Sequence, residues 1–176
     1  MYVLIETVTL DDYAAFYRVF DAVAQEGKFF AEVKAPPSDK LKFFFDKLIK
    51  ENYPFLIAKS CSEVVGWGHL YPFSGFSYSH NFCFAVAVLK EFRGLGIGHK
   101  LSIQLLNIVK TNWAECKTVR IEVISENSNA IKLYTKIGFT IDGERKCFVQ
   151  QGDKFKDVTY LSLDMKKFLY PSPLIP

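Results

Sequence analysis

The sequence predicts a mixed α/β domain built on one central sheet. Three observations predict it. Apolar, β-rich runs alternate with segments of helical periodicity along nearly the whole chain. The run Asn81–Leu89 is apolar at almost every position, as a strand covered on both faces must be. A turn holding three alternating glycines, Gly94, Gly96 and Gly98, then leads at once into an amphipathic segment, the strand–turn–helix succession typical of α/β domains.

In order along the chain, Tyr2 to Val8 is β-rich and reads as the first strand. Thr9 caps a helix from Leu10, with Asp11 and Asp12 in the first turn, where the helix dipole favours negative charge. Tyr13, Phe16, Tyr17 and Phe20 give it an apolar face, and it fades near Gly27. After a loop ending in Pro36-Pro37, Ser38 caps a second helix with Leu41, Phe44, Phe45 and Leu48 on its apolar side, stopped by Pro54. Phe55–Lys59 and Val64–Tyr71 read as a hairpin, in which Gly66 and Gly68 mark a bulge or a close approach by another group. The strand Asn81–Leu89, a helix from Gly98 to about Trp113 and a buried strand Thr118–Ile124 follow. Asn127 or Ser128 starts a last helix, which Gly138 caps, and Phe139–Ile141 with Val158–Met165 reads as a final strand pair. The order is β-α-α-β-β-β-α-β-α-β-β. It implies one domain over residues 1–168 and a proline-rich tail over 169–176.

Composition narrows the function. A net charge of +3, with no basic run interleaved with aromatics, argues against a nucleic-acid partner. No apolar run approaches the ~20 residues of a membrane span, and the first nine residues read as a strand rather than a leader peptide, so no membrane association is expected. Cys61, Cys83, Cys116 and Cys147 are scattered, which predicts neither a disulfide framework nor a metal site and suits a reducing cytoplasm. The 17 phenylalanines point first to a large aromatic core.

The glycine turn carries the chemistry. Glycines let backbone N–H groups approach an anion, and a helix N-terminus adds its positive end. Gly98 is followed by His99, Lys100 and Leu101, which breaks the Gly-x-x-x-x-Gly-Lys-Ser/Thr pattern of a P-loop. The spacing also fails the Gly-x-Gly-x-x-Gly dinucleotide fingerprint, with Leu101 or His99 at the third position. What stands is Arg93-x-x-Gly96-x-Gly98. This resembles the acetyl-CoA loop of the GNAT N-acetyltransferase superfamily, and the run Asn127-x-x-Ala130-Ile131-x-Leu133-Tyr134-x-x-x-Gly138-Phe139 resembles a second signature of that superfamily. The order of elements matches as well, over about residues 3 to 165.

The resemblance implies that acetyl-CoA is a co-substrate, with no metal required. Arg93, Gly94, Leu95, Gly96, Ile97 and Gly98 would cradle its diphosphate. The Arg93 side chain would either pair with phosphate or anchor the turn by bonding carbonyls. Val86, Ala87 and Val88 correspond to the part of the fourth strand that splays from the fifth at a bulge and hydrogen-bonds the pantetheine arm. Asn127 corresponds to an asparagine that bonds the same arm, and it suits a helix cap equally well. Tyr134 corresponds to the tyrosine that protonates the departing thiolate; otherwise it is a core tyrosine. Glu122 sits in an otherwise apolar run, Ile121 to Ile124, and corresponds to a glutamate general base in related amino-terminal acetyltransferases. An ion pair with Arg120 or Lys117, or an outward-facing edge, is the plainer explanation.

Acceptor contacts are expected between the first two helices and the last strand pair. Phe30, Glu32, Tyr71 and Phe73 are the leading candidates, with Phe29, Phe76 and Tyr78 beside them and Glu26 as a second acid for a cationic amine. The implied reaction is direct transfer of an acetyl group to a primary amine, a small amine or amino acid. The alternatives are a peptide or protein N-terminus as acceptor, or a non-catalytic acyl-CoA-binding module. A dimer through the last strands is common in that superfamily.

Overall fold

The computed structural model describes residues 2–169. Its elements are β1 (Leu4–Thr7), α1 (Tyr13–Gln25), α2 (Ser38–Lys50), β2 (Phe55–Ser60), β3 (Glu63–Pro72), β4 (Asn81–Val88), α3 (Ile97–Asn112), β5 (Thr118–Ile124), α4 (Ser128–Ile137), β6 (Thr140–Gln151) and β7 (Lys154–Asp164). The expected order of strands and helices is present, with short 3-10 turns at Leu10–Asp12, Phe76–Tyr78 and Lys90–Phe92. Thr9 closes the first of these through a reciprocal box with Asp12, whose carboxylate accepts from the Thr9 N–H at 2.9 Å and its hydroxyl at 2.8 Å. Pro37, not Ser38, occupies the N-cap of α2. Apart from Leu169, the expected proline-rich tail lies outside the described residues.

The seven strands form one mixed sheet in the order β1-β2-β3-β4-β5-β7-β6. Every pairing is antiparallel except β4 with β5. On one face α3 and α4 cover Phe82, Phe84, Val119, Ile121 and Leu161, with Leu101, Leu105 and Val109 fully buried between. On the other, α1 and α2 cover an aromatic cluster in which Phe16 packs against Phe45, Phe55 and Trp67 at ring separations of 5.1–5.4 Å. The phenylalanines are therefore used mainly as core. Burial of one such side chain contributes about 1.5–3 kcal/mol before the entropy of ordering it is subtracted.

Two differences from the sequence reading have physical causes. The last strand pair is much longer than Phe139–Ile141 and Val158–Met165, because β6 is an exposed edge strand with almost no apolar alternation to reveal it. The register between β3 and β4 runs unbroken from Pro72 opposite Phe82 to Gly66 opposite Val88, so no bulge interrupts that side of β4. The register shift lies on the β2 side of β3: Ala58 faces Gly66 and Lys59 faces Val64, so Val65 is the extra residue, next to Gly66 where the glycines suggested a bulge. Gly66 and Gly68 do mark close approaches. A Cβ on Gly66 would stand 2.9 Å from the Ala87 carbonyl oxygen, and one on Gly68 would stand 2.8 Å from both Leu105 and Val86 side-chain atoms.

No helix among the described residues is long and apolar enough to cross a membrane. The four cysteines are free thiols.

His69 stands on β3 among Phe44, Phe55, Tyr71 and Trp67, stacked on the indole at 5.3 Å, with its Nδ1 unpartnered. Burial disfavours the imidazolium and brings its pKa down to about 3. The unfolded chain then binds more protons than the native one between the ordinary histidine pKa and that value. Stability held above about pH 6.5 should fall progressively toward pH 3, by up to about 1.4 kcal/mol per pH unit for this group. His69→Phe should remove that part of the slope in urea unfolding followed across pH 7 to 4. Gly66→Ala should lower unfolding free energy by about 1–3 kcal/mol, because the obstructing atom is backbone; urea titration at pH 7 checks it.

Candidate functional site

The site begins where β4 and β5 separate. They pair at Asn81–Thr118, Phe82–Val119 and Cys83–Arg120 only, although β4 continues to Val88 and β5 to Ile124. On its other edge β4 stays bonded to β3. The bonds from Phe73 N–H to Asn81 carbonyl and from Leu89 N–H to Val65 carbonyl set the alternation. By that alternation Ala85 and Ala87 direct their backbone groups to β3, while Phe84, Val86 and Val88 direct theirs into the gap left by β5. Of the three positions expected to hold a cofactor arm, Val86 and Val88 thus present backbone groups to the opening. Ala87 turns its own toward Trp67.

The glycine turn closes one end of this gap. Gly94 and Gly96 take positive φ, 77° and 78°, and Gly96 caps α3. The backbone N–H groups of residues 94 to 98 have no partner among the described residues; the first helical bond runs from Lys100 N–H to the Gly96 carbonyl. These are the orphan donors of a helix start, aimed outward with the positive end of a helix dipole behind them. Gly98 lies within the helix, where a Cβ would stand 3.6 Å from Leu133 of α4. Leu95 does not line the cavity in this gap and is half exposed.

Arg93 anchors the turn. Its Nε donates to the Val88 carbonyl at 2.8 Å, its two terminal nitrogens donate to the Glu26 carboxylate at 2.8 and 2.5 Å, and its guanidinium lies 4.5 Å from the Phe29 ring centre. Of the two readings of this side chain, the described contacts match the anchoring one. The pair also engages Glu26 and so removes it as an open acid for an amine.

A cavity of about 610 Å³ fills the gap. It is lined by Phe84 to Val88, by the turn and first residues of α3 through His99, by Ile121 to Val123, and by Asn127, Ala130, Leu133 and Tyr134. Phe29 and Phe30 close it from the α1–α2 loop, Phe30 resting against Phe20 at 4.9 Å and Trp67 at 6.1 Å. Among the described lining residues Glu122 is the one carboxylate. It is exposed to the cavity side and makes no hydrogen bond or ion pair with Arg120, Lys117 or any other described residue. Tyr134 is 4 % exposed, held edge-on by Phe84 at 5.7 Å and packed on Phe139 at 5.6 Å, and its hydroxyl has no partner among the described residues. Burial pushes its pKa well above the usual tyrosine value, so the phenol keeps its proton throughout the physiological range. Asn127 both lines the cavity and caps α4, its Oδ1 accepting from the Ala130 N–H at 3.2 Å.

Other candidates stand apart. Glu32 and Phe73 do not line the cavity, and Phe76 and Tyr78 are exposed on the β3–β4 loop. Tyr71 lies on the sheet face below Glu122, next to Cys83, whose thiol burial pushes up to about 11. Phe84, Phe92 and Leu133 line the cavity without having been singled out, since their apolar spacing reads equally as core. Among the described residues no group of three or more His, Cys, Asp or Glu side chains forms a metal cage.

Comparison with known proteins gives the same picture. The family model described as Acetyltransferase (GNAT) family matches residues 16–139. An L-methionine sulfoximine/L-methionine sulfone acetyltransferase of Pseudomonas aeruginosa is 29% identical over 128 residues, covering 69% of this chain and 71% of that protein. An L-amino acid N-acetyltransferase of Escherichia coli is 26% identical over 84 residues, covering 48% of this chain and 51% of that protein. Among solved structures, a GNAT superfamily phosphinothricin acetyltransferase from Sinorhizobium meliloti in complex with acetyl-CoA superposes with a TM-score of 0.86 at 17% identity, over 93% of this chain and 89% of that one.

The Arg93–Glu26 pair is part-buried, so either partner alone leaves a poorly solvated charge. Arg93→Gln and Glu26→Gln should each cost about 1–2 kcal/mol in urea unfolding, and the double variant no more than the worse single, a non-additivity that a double-mutant cycle measures directly.

Proposed function

The chain belongs to the GNAT acetyltransferase family, and from that premise we propose that it moves the acetyl group of acetyl-CoA onto the primary amine of a small, amino-acid-like acceptor by direct attack. The observation that carries this reading is the convergence, in one cavity, of unpartnered amides at 94–98, the open edge of β4, a buried protonated phenol at Tyr134 and an unpaired carboxylate at Glu122. Acetyl-CoA contributes a diphosphate, an amide-bearing arm and an activated acetyl group, and the donors present fit each polar part.

The residues then take distinct roles. The amides of residues 94 to 98 bind the diphosphate, reinforced by the N-terminal end of α3. The Val86 and Val88 edge, with Asn127 at the opposite wall, orients the arm along β4. An aliphatic ammonium has an ordinary pKa near ~10.4, so the attacking amine must first lose a proton, and Glu122 is the carboxylate in reach of the cavity to accept it. Tyr134 carries its proton at neutral pH and is therefore available to donate it to the sulfur that leaves. Cys83, the nearest thiol to the gap, stays protonated and half-buried, which supports direct transfer rather than an acyl-cysteine. The amino-acid class of acceptor draws its support from the two curated relatives, whose names specify amino acids or analogues of them.

A screen of amino acids, polyamines and N-terminal peptides with acetyl-CoA, read by release of free thiol, tests the proposal. Acceptor-dependent release is expected with amino acids. Tight acetyl-CoA binding with no release on any amine would identify a non-catalytic acyl-CoA-binding module instead. Tyr134→Phe should lower kcat by more than about tenfold while changing the acetyl-CoA Kd by less than about threefold; stopped-flow turnover and calorimetry separate the two effects.

A further inference from the structure

A second cavity, of about 380 Å³, adjoins the first and shares Phe29 and Asn127 with it. It opens between the end of α1, the start of α4 and the tip of the β6–β7 hairpin, bringing together Glu26, Lys28, Glu126, Lys154 and Lys156 from three distant parts of the chain. The hairpin tip is fastened there, since the Gln151 side-chain amide donates to the Phe30 carbonyl at 2.7 Å. The charges do not cancel. Glu26 is engaged by Arg93, and Glu126 by Lys156 at 2.5 Å. Lys28 and Lys154 have no hydrogen bond or ion pair among the described residues, so two positive charges at this mouth are left uncompensated. The adjoining cavity holds the opposite arrangement, one unpaired carboxylate at Glu122.

We infer that Lys28 and Lys154 form a receiving site for the carboxylate of the acceptor, which enters through this second cavity with its amine directed to Glu122. The inference rests on the acetyltransferase reading above and adds the group that distinguishes an amino acid from a plain amine. Two signs of charge in two adjoining cavities orient a zwitterion: the cationic mouth attracts the carboxylate and the acidic interior the ammonium. A simple amine gains nothing from the mouth and is repelled by it. Lysine suits the task because its ammonium sits on a long flexible stem and reaches acceptors of differing length.

The double variant Lys28→Gln/Lys154→Gln tests this with L-methionine sulfone and its decarboxylated counterpart, 3-(methylsulfonyl)propylamine, as paired acceptors. The KM for L-methionine sulfone should rise about tenfold or more, with kcat within about twofold, while the KM for the amine does not rise and that for acetyl-CoA stays within about twofold. Lys28→Arg/Lys154→Arg should retain the low KM for the amino acid. Equal KM changes for both acceptors, or none for either, would overturn the carboxylate site and leave the acetyltransferase reading intact. A rise confined to acetyl-CoA would reassign the lysines to the nucleotide's phosphates. Wild-type protein that releases no thiol with either acceptor would remove the amino-acid reading, and this inference with it.

Discussion

Beyond Cys83 and Arg120 the two central strands stop bonding to each other, and the rest of the molecule is arranged around that parting. Separating neighbouring strands leaves backbone donors and acceptors without partners, a costly state if they are sealed from water. The fold tolerates it because β4 keeps its full set of bonds to β3 and β5 its full set to β7. Each half of the sheet is complete on its outer side, so the unpaired edges are confined to the seam. Helices α3 and α4 close one side of the seam and the α1–α2 loop the other, which turns an open wedge into a cavity with polar backbone on its walls.

Arg93 holds that arrangement at the corner where β4, α1 and the glycine turn meet. One guanidinium reaches the end of β4, the end of α1 and the face of Phe29. With all of its nitrogens engaged by protein, the side chain serves as a brace, and the unpartnered donors at this corner are those of the backbone. The brace also joins the two cavities, because Glu26 and Phe29 belong to the wall between them. The glycine turn and the second cavity are therefore held by the same contact.

Much of the scaffold is legible in the sequence because it depends on local rules. The positive φ of Gly94 and Gly96, the cap at Asn127 and the stop at Gly138 follow from residue type and spacing. The two glycines of β3 announce close approaches that only packing against Leu105, Val86 and Ala87 explains. Tyr134 and Glu122 are identified by motif resemblance and by an acid in an apolar run, and both line the cavity. What escapes is whatever depends on distant segments meeting. The fastening of Arg93 by Glu26 spans 67 residues, and the cluster of Lys28 with Lys154 spans more than a hundred, so no local pattern records either. Glu32 and Phe73 illustrate the converse: residue type alone suits them to an acceptor, and neither lines the main cavity. The length of β6 is hidden for a third reason, since an edge strand with both faces wet needs no apolar period.

That outer strand has a consequence of its own. Over twelve residues β6 leaves one row of amides and carbonyls open to any extended peptide that drifts alongside. The defence is written into its middle. The pairing with β7 skips between Arg145 and Val149, Cys147 adopts a left-handed φ of 53°, and Asp157 reaches across to take the Cys147 N–H at 2.8 Å while gripping Lys146. The kink breaks the flat template, and Asp142, Glu144, Arg145 and Lys146 set a dense alternation of charge beside it. Stray strands are thereby denied a continuous ladder, which protects the chain from growing into a fibril through its most accessible border.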